Sequence, residues 1–233
     1  MSRRVMMIST AAILLLAAVC VFLNPAAAYI FARAHGLDLK YSRLTGTVLT
    51  GLSFKDLTAS DPKKGFGLFA ETADVKVVLS KNILAEPGLD LDLRGGRFLR
   101  EGMGPAEDYA DLDDLVALPF KKAWRYRRIT ARLRALKDGT GIDDLYAESD
   151  EIRLYVNGAI HRDNYVNLAI KISFAETVTS KIPEALSKVF LNDEGTGWKS
   201  LSVSLSGNYA APSIQVSSKL FRLSVKSVSE SHS

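Results

Sequence analysis

Apolar and polar residues alternate with a period of two over much of this chain. In the longest strict run, Val166 to Phe174, every second side chain is apolar. Such alternation is typical of β-strands that turn one face to a core and the other to water. Shorter runs repeat the pattern at 75–79, 89–93, 129–135, 152–160, 201–205 and 214–225. Glycine- and proline-containing turn signals separate most of the runs, so we predict an antiparallel meander of about ten strands.

Two places in the pattern are irregular. The stretch RLTGTVLTGLSFKDLTAS, residues 43–60, contains two short β-segments punctuated by glycine, with Leu52 and Phe54 on the apolar side. The last run changes phase, because Val216 and Leu223 fall on opposite parities. A β-bulge near residues 217–218 would reconcile the two halves of that run.

Two segments have helical character. The first is an insertion at about 105–128, acidic at its start and basic at its end, which suits a helix dipole, although Pro119 favours a kink. The second runs from Pro183 to Leu191 and begins with a proline, which suits a helix start. These helices are too small to cover a ten-stranded sheet. The apolar face must therefore close as a sandwich or barrel, or curve into a groove that holds an apolar ligand.

The N-terminal segment Val5 to Leu23 is apolar and uncharged over its whole length. A helix of this length covers about the 30 Å hydrocarbon core of a bilayer. Arg3 and Arg4 precede it, so we expect the N-terminus to be cytoplasmic and the bulk of the chain to lie across the membrane. Two alternatives are a signal peptide cleaved near residues 26–28 and a lipoprotein modified at Cys20. We divide the chain into an N-terminal transmembrane anchor with its flanks, 1–30, and a β domain, 31–233.

Composition narrows the class of protein. The 233 residues are 47% hydrophobic and 24% charged, which excludes a disordered chain. Cys20 is the only cysteine, so the part after the anchor has no disulfide, which suits a bacterial periplasm. The net charge of +4 includes Arg3 and Arg4, and the +2 that remains is too small to indicate a nucleic-acid partner.

No catalytic or metal-binding pattern stands out. His35, His161 and His232 are not paired with a nucleophile or a carboxylate in a recognisable motif. The acidic clusters at 90–92, 111–114 and 143–144 suit surface or helix-start positions better than a cation site, which needs about six to eight converging oxygens. We expect a protein that is not an enzyme and has no cofactor.

One basic and aromatic stretch is a candidate for contact with lipid headgroups. In KKAWRYRR, residues 121–128, cations interleave with two aromatic side chains, as in patches that contact acidic lipids or the phosphates of lipopolysaccharide. The alternative is a basic helix end whose tryptophan packs onto the sheet. The headgroup candidates are Lys121, Lys122, Trp124, Arg125, Tyr126, Arg127 and Arg128.

The order of these features resembles the AsmA-like family of bacterial envelope proteins, the group that includes AsmA and TamB. The resemblance is carried by YSRLTGTVLTGLSFKDLTASDPKKGFGLFAETADVKVVLSKNILAEPGLDLDLRGGRF at 41–98, by ITARLRALKDGTGIDDLYAESDEIRLYVNGAIHRDNYVNLAIKISF at 129–174, and by LSVSLSGNYAAPSIQV at 201–216. This chain is similar to a short member. The resemblance implies a curved β-sheet with a hydrophobic concave face in the periplasm, behind an inner-membrane anchor, and it implies no cofactor and no catalytic residues.

We therefore expect a protein of envelope biogenesis that shields the acyl chains of phospholipid or lipopolysaccharide during lipid transport or outer-membrane assembly. The alternative is a structural accessory subunit of a secretion or lipopolysaccharide-export machine, which pairs by β-augmentation with other envelope proteins and binds no lipid. By parity alone, the candidate groove residues are Leu52, Phe54, Val75, Val77, Leu79, Leu89, Leu91, Val166, Leu168, Ile170 and Ile172.

Overall fold

The computed structural model of the chain describes residues 25–26, 28–30, 32–33, 36–47, 50–61, 65–78, 87–100, 116, 124–208, 212–218 and 222–226. The strands in these ranges are β1 (Asp38–Lys40), β2 (Arg43–Thr47), β3 (Gly51–Asp61), β4 (Phe66–Val78), β5 (Gly88–Arg100), β6 (Arg125–Leu136), β7 (Gly139–Glu148), β8 (Ile152–His161), β9 (Tyr165–Ala175), β10 (Asn192–Asp193), β11 (Trp198–Asn208), β12 (Ser213–Ser217) and β13 (Arg222–Lys226). Two short helices, α1 (Glu176–Thr179) and α2 (Glu184–Phe190), follow β9. Helical backbone also occurs at the described positions between 25 and 33.

All thirteen of these strands belong to one antiparallel sheet. From β3 to β9 each strand pairs with the next along the chain, and β11, β12 and β13 continue the order. β1 and β2 both pair with β3, and β10 pairs with β11. In the described part of the chain no pairing joins β13 to the other edge, so the sheet is open. The predicted antiparallel meander is confirmed, as an open sheet.

The connections differ between the two ends of the sheet. At the hairpin end, tight turns at 137–138 and 162–164 join β6 to β7 and β8 to β9. Asp163 fixes the second turn, because its carboxylate accepts a hydrogen bond from the Tyr165 N–H at 3.1 Å, and Asn164 takes the positive φ that asparagine tolerates. At the opposite end, which we call the cap end, α1 and α2 lie between β9 and β10.

α2 covers part of the cap end and confirms the predicted second helix. Pro183 is its N-cap residue, and Leu186 and Phe190 pack against the core. The Lys199 ammonium of β11 donates a hydrogen bond to Ser187 Oγ at 2.9 Å. Because Ser187 is buried in the helix, this bond ties α2 to the sheet.

The strict alternation is broken along a line that crosses β3 to β6. On each of these strands, two buried positions are three residues apart instead of two: Phe54 and Leu57, Ala70 and Ala73, Leu93 and Gly96, and Tyr126 and Ile129. Strand pairing is interrupted on this line at Asp56, Glu71 and Gly95. Asp56 and Gly95 have φ angles of 51° and 60°. A left-handed residue inside a strand bends it and re-aims the following side chains, so the strands turn here while keeping the same face buried.

Gly95 also provides space for a contact between two other strands. The Glu71 side chain of β4 passes over Gly95 of β5 and accepts a hydrogen bond from Arg125 of β6. A Cβ atom at position 95 would overlap the Glu71 side chain. The glycine is therefore needed both for its backbone conformation and for this crossing.

Two predicted features differ from the structure. The helical insertion at about 105–128 is wrong at its C-terminal end, because Arg125 to Arg128 begin strand β6. Val116 is helical, and the other residues of that insertion before Trp124 lie outside the described residues. The bulge predicted near 217–218 is wrong as well, because β12 ends at Ser217 and pairs antiparallel with β13 across a hairpin.

The predicted transmembrane segment, Val5 to Leu23, lies outside the described residues. Among the helices that the structure describes, none has the length and apolar character needed to span a bilayer.

Replacing Gly95 with alanine is expected to destabilise the protein by about 1–3 kcal/mol, because an L-residue at this φ is strained and its Cβ displaces Glu71. Gly195→Ala is the matched control, since Gly195 has a φ of 74° and nothing lies within 4 Å of an added Cβ. Urea unfolding should show a larger loss for Gly95→Ala. In a Glu71→Ala background, Gly95→Ala should cost no more stability than Gly195→Ala. If the two glycine substitutions cost the same stability in the wild-type background, the contact of Glu71 over Gly95 would be contradicted.

Candidate functional site

The strand register arranges the apolar side chains of the sheet in rows that run across the strands. One row is buried throughout, and we call it the buried row. Its members follow one another in register across eight strands: Phe54, Ala73, Leu93, Ile129, Ala147, Leu154, Ile172 and Leu201. Each of them is less than 9% exposed. This row is the centre of the core.

The next row towards the hairpin end, the middle row, is only partly buried. It consists of Leu52, Val75, Leu91, Ala131, Leu145, Val156, Ile170, Val203 and Val216. The three members on β9, β11 and β12 are buried. On β3 to β8 every member except Ala131 keeps part of its surface accessible. The cover over the apolar face therefore ends earlier on β3 to β8 than on β9 to β12.

The third row, the rim row, has no buried member. It consists of Val77, Leu89, Leu133, Ile142, Leu168, Leu205 and Ile214. Val77 is 36% exposed, and Ile160, one row further out, is 43% exposed. The rim row and the middle row of β3 to β8 together form a partly accessible apolar surface. We call this surface the trough. It spans about 24 Å from β3 to β8 at 4.8 Å per strand.

The groove candidates predicted from the sequence fall into three groups. Leu52, Val75, Val77, Leu89, Leu91 and Leu168 lie in the trough or its rim with part of their surface accessible. Phe54, Ile170 and Ile172 are buried in the core, and Val166 is buried opposite Ile160, one row beyond the rim row. These positions correct their assignment as groove-lining residues. Leu79 lies outside the described residues.

The structure adds six residues that parity did not single out: Leu133, Ile142, Leu145, Val156, Leu205 and Ile214. Four of them, all except Ile142 and Leu145 of β7, belong to the alternating runs, so their strands were visible in the sequence. Their position along the strand decides whether they are covered, and only the register to the buried row reveals that position.

The two aromatic headgroup candidates are core residues. Trp124 is 4% exposed and Tyr126 is 0% exposed, and Tyr126 makes an edge-to-face contact with Phe98. Neither side chain reaches the surface, so their assignment as headgroup contacts is corrected in favour of packing onto the sheet.

The Tyr126 hydroxyl is buried without a hydrogen-bond partner among the described residues. Burial raises the pKa of this hydroxyl above its usual value, because the phenolate would lose its hydration. The group is therefore a neutral phenol, and its orphaned hydroxyl costs stability.

The three arginines of the same stretch lie on the outer, polar face and are ion-paired. Arg125 contacts Glu71, Arg127 contacts Glu148 and Asp150, and Arg128 binds Asp92 through two hydrogen bonds. Lys121 and Lys122 lie outside the described residues.

No group of three or more His, Cys, Asp or Glu side chains is placed to hold a metal ion in the described part of the chain. His161 Nδ1 lies 3.0 Å from Asp138 Oδ2 at the hairpin end. This contact links the turn between β6 and β7 to the turn between β8 and β9. The chemistry that the face can perform is the burial of apolar groups.

Comparison of the chain with models of protein families, with curated proteins and with solved structures gives no match.

Replacing Tyr126 with phenylalanine is expected to raise the free energy of unfolding by up to about 1–3 kcal/mol, because the change removes a buried hydroxyl that has no partner. Urea unfolding measures the effect. Tyr146→Phe is the control, because Tyr146 is only half-buried. A loss of stability in Tyr126→Phe would show that the hydroxyl has a partner.

The pair of Asp92 and Arg128 predicts a dependence on pH. The hydrogen bond from Arg128 is the largest cause that lowers the pKa of Asp92, and it outweighs desolvation. A carboxylate with a lowered folded-state pKa adds stability above its unfolded pKa of about 4, and this stability disappears as the pH falls through the folded-state value.

Asp92→Asn should therefore be less stable than wild type at pH 7 by no more than about 1 kcal/mol, since the Arg128 side chain is largely exposed and solvent screens the pair. The difference should shrink as the pH falls below about 4 and vanish once the pH lies below the lowered folded-state pKa of Asp92. Repeating the comparison in an Arg128→Gln background removes the partner, and a pH-dependent difference that persists there would contradict this pairing.

Proposed function

We propose that this chain is a non-enzymatic protein of the bacterial cell envelope that shields lipid acyl chains in the trough during lipid transport or outer-membrane assembly. The observation that carries the proposal is the gradient of burial across the three rows. The buried row is fully covered, whereas the rim row, equally apolar and in register with it, is not. An acyl chain laid across β3 to β8 would complete the cover.

The free energy of lipid transfer supports this occupant. Each CH₂ group that leaves water for an apolar surface gains about 0.8 kcal/mol. The trough offers leucine, isoleucine and valine side chains over several adjacent strands. Contiguous apolar surface of this kind is uncommon on soluble proteins unless it binds something.

The sequence supports the location that we propose. The apolar segment Val5 to Leu23 would anchor the chain in the inner membrane as a single span, with the N-terminus in the cytoplasm. The sheet would then lie in the periplasm beside the lipids it handles. The resemblance of residues 41–98 and 129–216 to the AsmA-like family agrees with this arrangement.

One observation favours the alternative of a structural subunit that pairs by β-augmentation. The outer edge of β13 has no strand beside it in the described part of the chain. An open edge presents unpaired backbone groups to which a strand of another envelope protein can add. In this alternative the trough is covered by protein, and no lipid is bound.

Two substitutions on one strand distinguish these functions. Leu89 of the rim row and Leu93 of the buried row share a face of β5. In the full chain purified in a non-ionic detergent, Leu89→Asp should keep the native fold and lose most of the lipid that mass spectrometry detects with wild type. Leu93→Asp should unfold the domain, because it buries an unpaired charge.

Site-specific crosslinking provides a second measurement. A photoreactive residue at Leu133, in the rim row, should crosslink to lipid in cells. The same residue at Arg132, the adjacent position on the polar face, should not. Crosslinks to protein alone at position 133, together with no co-purifying lipid, would reject the lipid function and support the structural one.

A further inference from the structure

Strands β5 and β6 bring arginines directly opposite one another on the outer face of the sheet. Arg94 pairs in register with Arg128, and Arg97 pairs with Arg125. All four side chains are exposed. Like charges directly opposite each other destabilise an antiparallel pair, so this arrangement needs anions to compensate for it.

The arginines of β6 have such anions within the protein. Arg128 donates hydrogen bonds to both oxygens of Asp92, at 3.0 and 2.6 Å. Arg125 donates to Glu71, whose side chain passes over Gly95 between the two arginine pairs. The Glu71 carboxylate therefore already lies in the middle of this cluster of four arginines.

The arginines of β5 have weaker compensation, since Arg94 only adds to the effect of Arg128 in lowering the pKa of Asp92. Neither Arg94 nor Arg97 forms an ion pair or a hydrogen bond through its side chain with another described residue. The Arg97 guanidinium lies over the Phe69 ring, 4.8 Å from the centroid. Stacking of this kind holds the plane of the guanidinium and leaves its N–H edge free for an oxyanion.

Further cations extend the cluster across the outer face. Lys55 of β3 and Arg94 of β5 lie on either side of Thr72, and Arg43 of β2 lies opposite Lys55. Arg43 and Lys55 are exposed, and within the described ranges neither side chain reaches a carboxylate. This basic row spans about 19 Å from β2 to β6.

An open depression of about 530 Å³ on the same face adjoins the cluster, and its lining includes Asp92, Arg128 and Thr130. Its lining also includes Asp74, which lies opposite Asp92 in the register, and the ion pair of Asp90 with Arg132.

We propose that Arg94 and Arg97 form a binding site for a phosphoryl group on the outer face of the sheet, where the neighbouring Glu71 carboxylate, bound to Arg125, opposes the approach of an anion. Guanidinium groups bind phosphate oxygens through paired N–H donors, which gives them an advantage over lysine at such sites. The site lies on the face opposite the trough, so it stands apart from the proposed acyl-chain function. A lipid headgroup and a soluble phosphate share this chemistry.

The test uses the full chain in a non-ionic detergent at neutral pH. One titration adds pyrophosphate, and the other adds phosphatidic acid in mixed micelles. We expect saturable binding of at least one probe, weakened roughly tenfold or more in Arg94→Gln/Arg97→Gln. Arg94→Lys/Arg97→Lys should also bind more weakly, because lysine keeps the charge and loses the paired donors.

Two variants control for loss of fold and for nonspecific charge. Glu71→Gln should bind more tightly than wild type, a gain that unfolding cannot produce. Lys137→Gln/Arg162→Gln removes two exposed cations at the hairpin end and should bind like wild type. Leu89→Asp should also bind phosphate normally, which separates this site from the trough.

The probe that binds identifies the source of the phosphoryl group. Binding of phosphatidic acid alone supports the site and identifies the ligand as a lipid headgroup, whereas binding of pyrophosphate alone identifies a soluble phosphate. The proposal is overturned if wild type binds neither probe saturably, or if either Arg94/Arg97 double variant binds as tightly as wild type. Unchanged affinity in Glu71→Gln would overturn the role assigned to Glu71.

Discussion

A single layer of β-sheet has to bury its own apolar face, and the rest of this structure depends on that constraint. An ordinary sandwich uses a second sheet for the purpose, but the strands described here form one continuous open sheet. Bends in the strands and the chain at the cap end must supply the cover instead. The line through Asp56 and Gly95 provides bends, and α2 and Trp124 contribute apolar side chains to the core.

The trough is what remains where this cover ends. Burial is complete in the row that starts at Phe54, and it is lost within two rows towards the tight turns of the hairpin end. Apolar surface left open beside a covered core is the physical basis for an acyl-chain function. The same strands would form an ordinary core if a partner protein covered the rim row.

The outer face shows the other consequence of the register. Strand pairing places Arg94 beside Arg128 and Arg97 beside Arg125, and the protein offsets part of the repulsion with Asp92 and Glu71. The Glu71 contact requires a side chain to cross an intervening strand, and this is possible because residue 95 is glycine. The bend that shapes the apolar face therefore also organises the charges on the polar face.

The sequence by itself determined the β-class, the antiparallel order and helix α2, because period-two alternation, turn residues and Pro183 are local signals. It misplaced Trp124 and Tyr126, because the cations around them suggested a contact with lipid headgroups, whereas both aromatic side chains are buried in the core. It read Arg125 to Arg128 as a helix end, because the carboxylates that pair with these arginines are distant in the sequence. Glu71 lies on β4, Asp92 lies on β5, and Asp150 follows β7. Only the tertiary structure decided which apolar residues are core and which line the trough, because cover depends on what lies across the sheet and not on the strand itself.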